Sequence, residues 1–323
     1  MESAPHLGSD TVWIASRLAA ALLAGAILGI NRNLHRKAAG LRTMALVAAA
    51  AALLASCAVA PRESSHFVEI GGAKIHVERF GAGAAIVFLH GGLVFFDNNF
   101  EKQRGYFASF REVIGIDRRG HGHSPDDARP FSYREMAEET AATIRALGLG
   151  RVDVVGHSDG GNIGLILAKE YPELVRRLVI SGANLRPSLP PEELQRRASW
   201  TPAQVSEKTR ELEAHLPPAF RLEYGKVAPD GPAHWPVLLE KSYRMWLTPV
   251  VIEPAELKLI KAPVLVIAGD HDFTSIEATT EIYRALPRGQ LLILPGTGHG
   301  TFSERPELVN LAIREFLERP DGK

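Results

Sequence analysis

The sequence predicts an α/β fold, a mostly parallel, doubly wound sheet with a helical insertion, and three observations predict it. From residue 67 onward, short apolar runs alternate with stretches at helical spacing. Several runs are continuously apolar, as in Ala85–Leu89 (AIVFL), which marks a strand buried on both faces. Between residues 186 and 258 the alternation stops and a segment rich in Pro, Glu and Arg takes its place.

The elements follow in order. Residues 67–70 and 74–79 flank Gly71-Gly72 and predict a hairpin. Strands are predicted over 85–89 and 112–116. Residues 132–147 have helical periodicity and stop at Gly148. Residues 151–155 read as a strand and 162–170 as a helix ended ahead of Pro172. Residues 177–181, 263–268 and 290–294 give three more strands. The segment 186–258, with Trp200, Trp235, Tyr243 and Trp246, predicts a helical lid, the alternative being a peripheral packing subdomain. Ligands of such sheets bind at the carboxyl ends of the strands, and the motifs below all fall there.

The bulk composition excludes several classes. Thirty-seven basic residues balance thirty-seven acidic ones, so no nucleic-acid partner is expected. The single cysteine, Cys57, excludes an internal disulfide, and no Cys/His pairs stand at zinc-finger spacing. The expectation is chemistry without a metal or cofactor on a small-molecule substrate.

The composition shifts near residue 61, which predicts a hydrophobic segment over 1–62 and a catalytic domain over 63–323. Apolar runs at about 12–30 and 44–60 are each close to bilayer-spanning length. Arg32, Arg36, Lys37 and Arg42 lie between them, and basic loops favour the cytoplasmic side. Membrane association through residues 12–60, with the catalytic domain outside the cytoplasm, is therefore expected. Other readings compete. Leu54-Ala55-Ser56-Cys57 matches a bacterial lipobox, an Ala-x-Ala signal-cleavage site ends at Ala60, and a true start at Met44 would leave the protein cytoplasmic. Residues 17–54, above all AGLRT-x-x-LV at 39–47, resemble the two opening membrane helices of the MgtC/SapB family. That resemblance implies a membrane segment and no activity.

Gly156-His157-Ser158-Asp159-Gly160 is G-x-S-x-G between the strand RVDVV and the helix NIGLILAKE, the context of a nucleophile elbow. A serine hydroxyl needs a base within hydrogen-bond reach and a group to orient that base. His299, on the loop after the last predicted strand, is the candidate base; His215 and His234 lie in the insertion and His271 in the preceding loop. Asp270 and Asp272, after the strand PVLVIAG, are the candidate acids. A developing oxyanion needs N–H donors. Asp159 offers one, and the loop His90-Gly91-Gly92-Leu93 another, from Gly92 first and Leu93 second. His90 is read as holding that loop. Asp117-Arg118-Arg119-Gly120-His121-Gly122-His123-Ser124 reads as a glycine-rich turn whose side chains bond the backbone.

HGG at 90–92, DRRGHGHS at 117–124, GHSDGG at 156–161, the Asp272 loop and GTGH at 296–299 together resemble the α/β-hydrolase superfamily over about residues 66–318. The resemblance implies a triad in the order Ser158, Asp272, His299, the Gly-x-x-Asp pattern selecting Asp272 over Asp270. Ser158–Leu165 and Leu178–Asn184 resemble the valacyclovir-hydrolase-like branch. That likeness implies that the Asp159 carboxylate reads a substrate ammonium group, with Trp246 a further candidate substrate contact. A serine nucleophile implies an acyl-enzyme and hence carboxylic esters or related acyl bonds. C–C hydrolysis, cofactor-free perhydrolysis and a ligand receptor with a slow triad are the alternatives.

Overall fold

The computed structural model describes residues 62–249 and 251–320. The apolar stretch 12–60, with Cys57, lies outside the described residues. Among those described, no helix is long and apolar enough to cross a membrane.

Eight strands form one sheet in the order β1-β2-β4-β3-β5-β6-β7-β8. They are β1 (Arg62–Ile70), β2 (Ala73–Gly81), β3 (Ala85–Leu89), β4 (Glu112–Asp117), β5 (Val152–His157), β6 (Val175–Ser181), β7 (Val264–Gly269) and β8 (Gly289–Leu294). β2 pairs antiparallel with β4, and every pairing from β4 to β8 is parallel. The predicted strands are all present, with β1 starting five residues before the predicted 67. Its early part is polar and largely exposed, so apolar patterning does not mark it.

The double winding is visible within single strands. Val87 and Leu89 of β3 face one apolar core, with Met136, Ala137, Ile163 and Ile166. Ile86 and Phe88 face the other, with Phe100, Phe107, Ile313 and Phe316. Successive strand side chains point to opposite faces, so a strand covered on both must be apolar throughout. Helices α1 (Phe96–Phe107), α2 (Tyr133–Ala146) and α3 (Asp159–Glu170) cover the faces next to the site. The sequence reading missed α1. Its stretch FDNNFEKQRGYF has no clean apolar stripe, and its backbone departs from helical geometry at Phe100.

The insertion forms four helices: α4 (Pro191–Ala198), α5 (Pro202–Glu213), α6 (Pro218–Val227) and α7 (Trp235–Trp246). Proline occupies the first turn of each, where its missing N–H costs nothing. A small cluster of Leu194, Val205, Tyr243 and Leu247 holds the insertion together. Trp235, Leu238 and Leu239 of α7 join the main core.

β5 ends in a turn of extreme tightness. A side chain at Gly160 would begin 1.9 Å from the carbonyl oxygen of Leu89, and one at Gly156 would begin 2.3 Å from that of Gly160. Both contacts are with backbone, which has no rotamer to yield. Gly160→Ala is therefore expected to destabilise the domain by about 3 kcal/mol or to prevent folding, read as a lower urea midpoint or loss of soluble protein. A midpoint equal to wild type would show that the turn can open.

Candidate active site

Ser158 sits on that turn with φ 53° and ψ −118°, a left-handed backbone that a side chain adopts only when its surroundings enforce it. Its N–H donates to the carbonyl of Ser181 on β6 (2.7 Å), and its carbonyl accepts from Gly161 (2.8 Å) and Asn162 (3.1 Å). α3 begins at Asp159, so the Asp159 N–H is among the first-turn donors without an intrahelical acceptor.

A cavity of about 800 Å³ opens over Ser158. Ser158, Asp159, Gly91, Gly92, Leu93 and His299 all face it, and α5, α6 and α7 close it with Leu212, Phe220 and Trp246. The sequence-predicted residues thus meet in one place, except the acid, which lies behind His299. There, the His299 Nδ1–H donates to Asp272 Oδ1 (2.8 Å), which also accepts from the Thr274 N–H (2.8 Å). The Asp272 side chain is fully buried and its Oδ2 takes no hydrogen bond, so His299 and Thr274 supply its polar contacts. Asp270 has another place. Its Oδ1 accepts from the Thr297 N–H (3.1 Å), bracing the loop that carries His299. His215 and His271 are exposed, and His234 pairs with Asp126 Oδ2 at 3.0 Å.

The glycine loop is held from below. His90 Nε2 accepts from the Arg118 N–H (3.0 Å) and its Nδ1–H donates to the Gly91 carbonyl (2.8 Å), which also takes the Arg118 guanidinium (2.6 Å). Burial, then the Arg118 charge, push His90 down to about 3, so it is a neutral brace. Leu93 follows with φ 60°, a second left-handed residue outside glycine.

A relay that the sequence reading missed links the three loops. The Gly91 N–H donates to Asn99 Oδ1 (2.8 Å), and Asn99 Nδ2 donates to His157 Nδ1 (3.0 Å). His157 Nε2–H then donates to the His299 carbonyl (2.9 Å). Asn99 lies in the unpredicted α1, and no motif spacing points to it.

Asp159 is buried, and both its carboxylate oxygens are engaged. Tyr133 Oη donates to Oδ1 (2.8 Å), and Trp246 Nε1 lies 3.1 Å from Oδ1 and 3.0 Å from Oδ2. A side chain at Gly92 would begin 2.6 Å from Asp159 Oδ2 and 2.8 Å from the Trp246 ring, so only glycine fits there. The His121 ring bonds the Arg119 carbonyl, as expected of the turn, whereas the His123 ring bonds the Asp117 carboxylate and not the backbone. Phe273, 77 % exposed, packs against the His299 ring with centroids 4.0 Å apart and the planes tilted by 31°.

The model of the alpha/beta hydrolase family matches residues 86–312. The chain belongs to the alpha/beta hydrolase family. It is similar to a 2-(acetamidomethylene)succinate hydrolase of Mesorhizobium japonicum, 27% identical, over 79% of this chain and 97% of that protein. It is also similar to the sn-1-specific diacylglycerol lipase ABHD11 of Mus musculus, 26% identical, over 72% of this chain and 80% of the lipase. Among solved structures, a meta-cleavage product hydrolase from Pseudomonas fluorescens IP01 shares the fold at a TM-score of 0.63 and 21% identity, over 78% of this chain and 96% of that one. The MgtC family model matches residues 18–109, beyond the predicted 17–54 and into strands that here belong to the sheet.

Burial and the neighbouring His299 hold His157 down to about 4, so it stays neutral in the fold while the unfolded chain protonates near 6.5. Between pH 6.5 and 4 the unfolded state binds the extra proton, so this contribution to stability is present above 6.5 and is lost as pH falls. In urea titrations over that window, wild type should lose about 1.4 kcal/mol per pH unit more than His157→Gln. Parallel pH profiles would mean that His157 titrates normally.

Proposed function

We propose that this chain is a serine hydrolase that cleaves carboxylic esters, or related acyl bonds, of a small molecule through an acyl-enzyme on Ser158. The observation that carries the reading is the strained Ser158 facing the same cavity as His299, whose Nδ1–H is fixed by Asp272. His299, with its Nδ1 proton held, presents the other ring nitrogen as base. It takes the Ser158 proton as the hydroxyl attacks the carbonyl carbon. The N–H of Asp159 and that of Gly92 receive the oxyanion, with Leu93 the second choice on the loop, since the Gly91 N–H is already committed to Asn99. His299 next protonates the leaving group, then activates the water that releases the acyl group.

The cavity favours an apolar acyl or alcohol group, being lined by Leu189, Leu212, Leu216, Phe220, Val251 and Phe273. An ammonium at Asp159 is less favoured, because Tyr133 and Trp246 already engage both carboxylate oxygens. Trp246 then acts as wall and as clamp on Asp159. The helices over 186–258 serve as the lid, and residues 1–62 as a membrane anchor, a role supported by the MgtC match. On that reading the catalytic domain lies outside the cytoplasm, which protease treatment of intact cells tests.

Ser158→Ala is expected to fold normally, resist fluorophosphonate labelling and lose p-nitrophenyl ester turnover by about 10⁴-fold or more. Asp272→Asn should cost about 10⁴-fold in kcat, and Asp270→Asn, whose amide oxygen can still accept the Thr297 N–H, about tenfold or less. Full activity in Ser158→Ala, or the reverse ranking of the two aspartates, would overturn the assignment.

A further inference from the structure

The topology gathers a second polar cluster outside the cavity. His76 and Glu78 stand two residues apart on β2, so both project to the same face of the sheet. His76 pairs across the antiparallel ladder with Asp117, the last residue of β4. The turn after β4 then folds back and delivers His123. A side chain at Gly122 would begin 2.5 Å from Asp117 Oδ2 and 2.6 Å from the Phe95 Cβ, so the turn passes this close only because Gly122 is bare.

Four ligand atoms converge there, all within 4.8 Å of one another: one each from His76, Glu78, Asp117 and His123. His76 Nδ1 lies 3.1 Å from Asp117 Oδ2, and His123 Nδ1 2.9 Å from the same oxygen. His76 Nδ1 lies 3.9 Å from Glu78 Oε1. Ligands at about 2.0–2.2 Å around a tetrahedral zinc ion stand about 3.3–3.5 Å apart, so the shorter distances here would open by a few tenths of an ångström and the longest, within 4.8 Å, would close by about 1 Å. The Glu78 side chain is nine-tenths buried, and among the described residues its carboxylate takes no hydrogen bond; its nearest ionic group is His76 at 3.9 Å, with Asp117 and His123 also close. A carboxylate largely withdrawn from water is costly, and a cation beside it offsets that cost.

The surroundings also fit a metal. The other nitrogen of His76, Nε2, is 2.7 Å from Ser65 Oγ, and Asp117 Oδ1 accepts the Phe96 N–H at 2.9 Å. Such outer contacts fix ring orientation and carboxylate direction around metal ligands. Asp117 Oδ2 accepts the His123 N–H as well (3.0 Å). Two carboxylates and two neutral imidazoles balance a dication. The mixed nitrogen and oxygen set selects zinc-like metals over magnesium or calcium, which take oxygen alone. The His123 side chain is 32% exposed and leaves a route in, while His76 and Asp117 are buried.

We infer that His76, Glu78, Asp117 and His123 form a binding site for a zinc-class divalent cation, separate from the Ser158 cavity. With four protein ligands the site is closed, as structural zinc sites are. It would tie β2, β4 and the 118–124 turn together, and through the Phe96 N–H it would steady the start of α1, which carries Asn99.

The test uses the full-length chain, purified without a polyhistidine tag and stripped with a chelator. Equilibrium dialysis against zinc chloride should leave one equivalent bound and raise the melting temperature. Both effects should vanish in Glu78→Gln/His123→Gln, while ester turnover stays within twofold of wild type. His123→Gln alone, at the partly exposed ligand, should weaken zinc binding at least tenfold, and it serves if the double variant does not fold. Zinc uptake equal in wild type and His123→Gln, or no uptake above background, would overturn the assignment.

Discussion

The left-handed backbone at Ser158 is the constraint on which the rest of the site depends. It costs roughly 1–3 kcal/mol, so it persists only where the neighbourhood admits nothing else. That neighbourhood is backbone on backbone: the Gly160 Cα stands against the Leu89 carbonyl at the end of β3, and Gly156 against Gly160. The turn is thus wedged between two parallel strands and the first turn of α3. Its reward is geometric. Ser158 lines the cavity, and the Asp159 N–H, in the first turn of α3, has no intrahelical acceptor.

On the proposed mechanism a rigid Ser158 is useful only if its partners are equally fixed, and they come from distant loops. The chain Gly91–Asn99–His157–His299 spans all three with hydrogen bonds of 2.8, 3.0 and 2.9 Å. Each polar atom in it has one assigned role because the His157 ring is neutral, donating from Nε2 and accepting at Nδ1. A protonated His157 would have two donors and would lose the bond it accepts from Asn99 Nδ2, turning instead to the Asn99 Oδ1 that now serves Gly91. Burial of this ring therefore keeps the glycine loop and the His299 loop in register with Ser158.

Much of this was legible in the sequence because it rests on backbone rules. Continuous apolar runs located the central strands, and G-x-S-x-G between strand and helix located the elbow. The DRRGHGHS turn was likewise read as structural, with His90 as a brace. The features that escaped are those formed by distance in sequence. Asn99 sits on a helix with a break at Phe100 and no apolar stripe. His76 and Glu78 lie on an edge-side strand, 41 residues from Asp117 in the case of His76. A search for metal spacing along the chain finds nothing there, because strand register rather than a local motif builds that cluster. Asp159 was read as facing substrate, but spacing could not reveal that Tyr133 and Trp246 would already hold it.

The insertion is not uniformly free, and this bears on how a substrate enters. α7 is fixed at its middle and at its C-terminal end. Lys241 Nζ donates to both oxygens of the buried Asp126 at 2.9 and 2.8 Å, and Trp246 Nε1 reaches Asp159 beside the nucleophile. Ahead of both, Leu238 and Leu239 sit in the main core. Lifting α7 would strip partners from two buried carboxylates at once, a cost of several kcal/mol. α4 and α6 each bury one side chain, and α5 buries two. Local opening draws on the segments with fewest buried contacts. Opening of the cavity over Ser158 is therefore least costly at α4–α6, which contribute Leu212 and Phe220 to its wall. Trp246 stays as its fixed side.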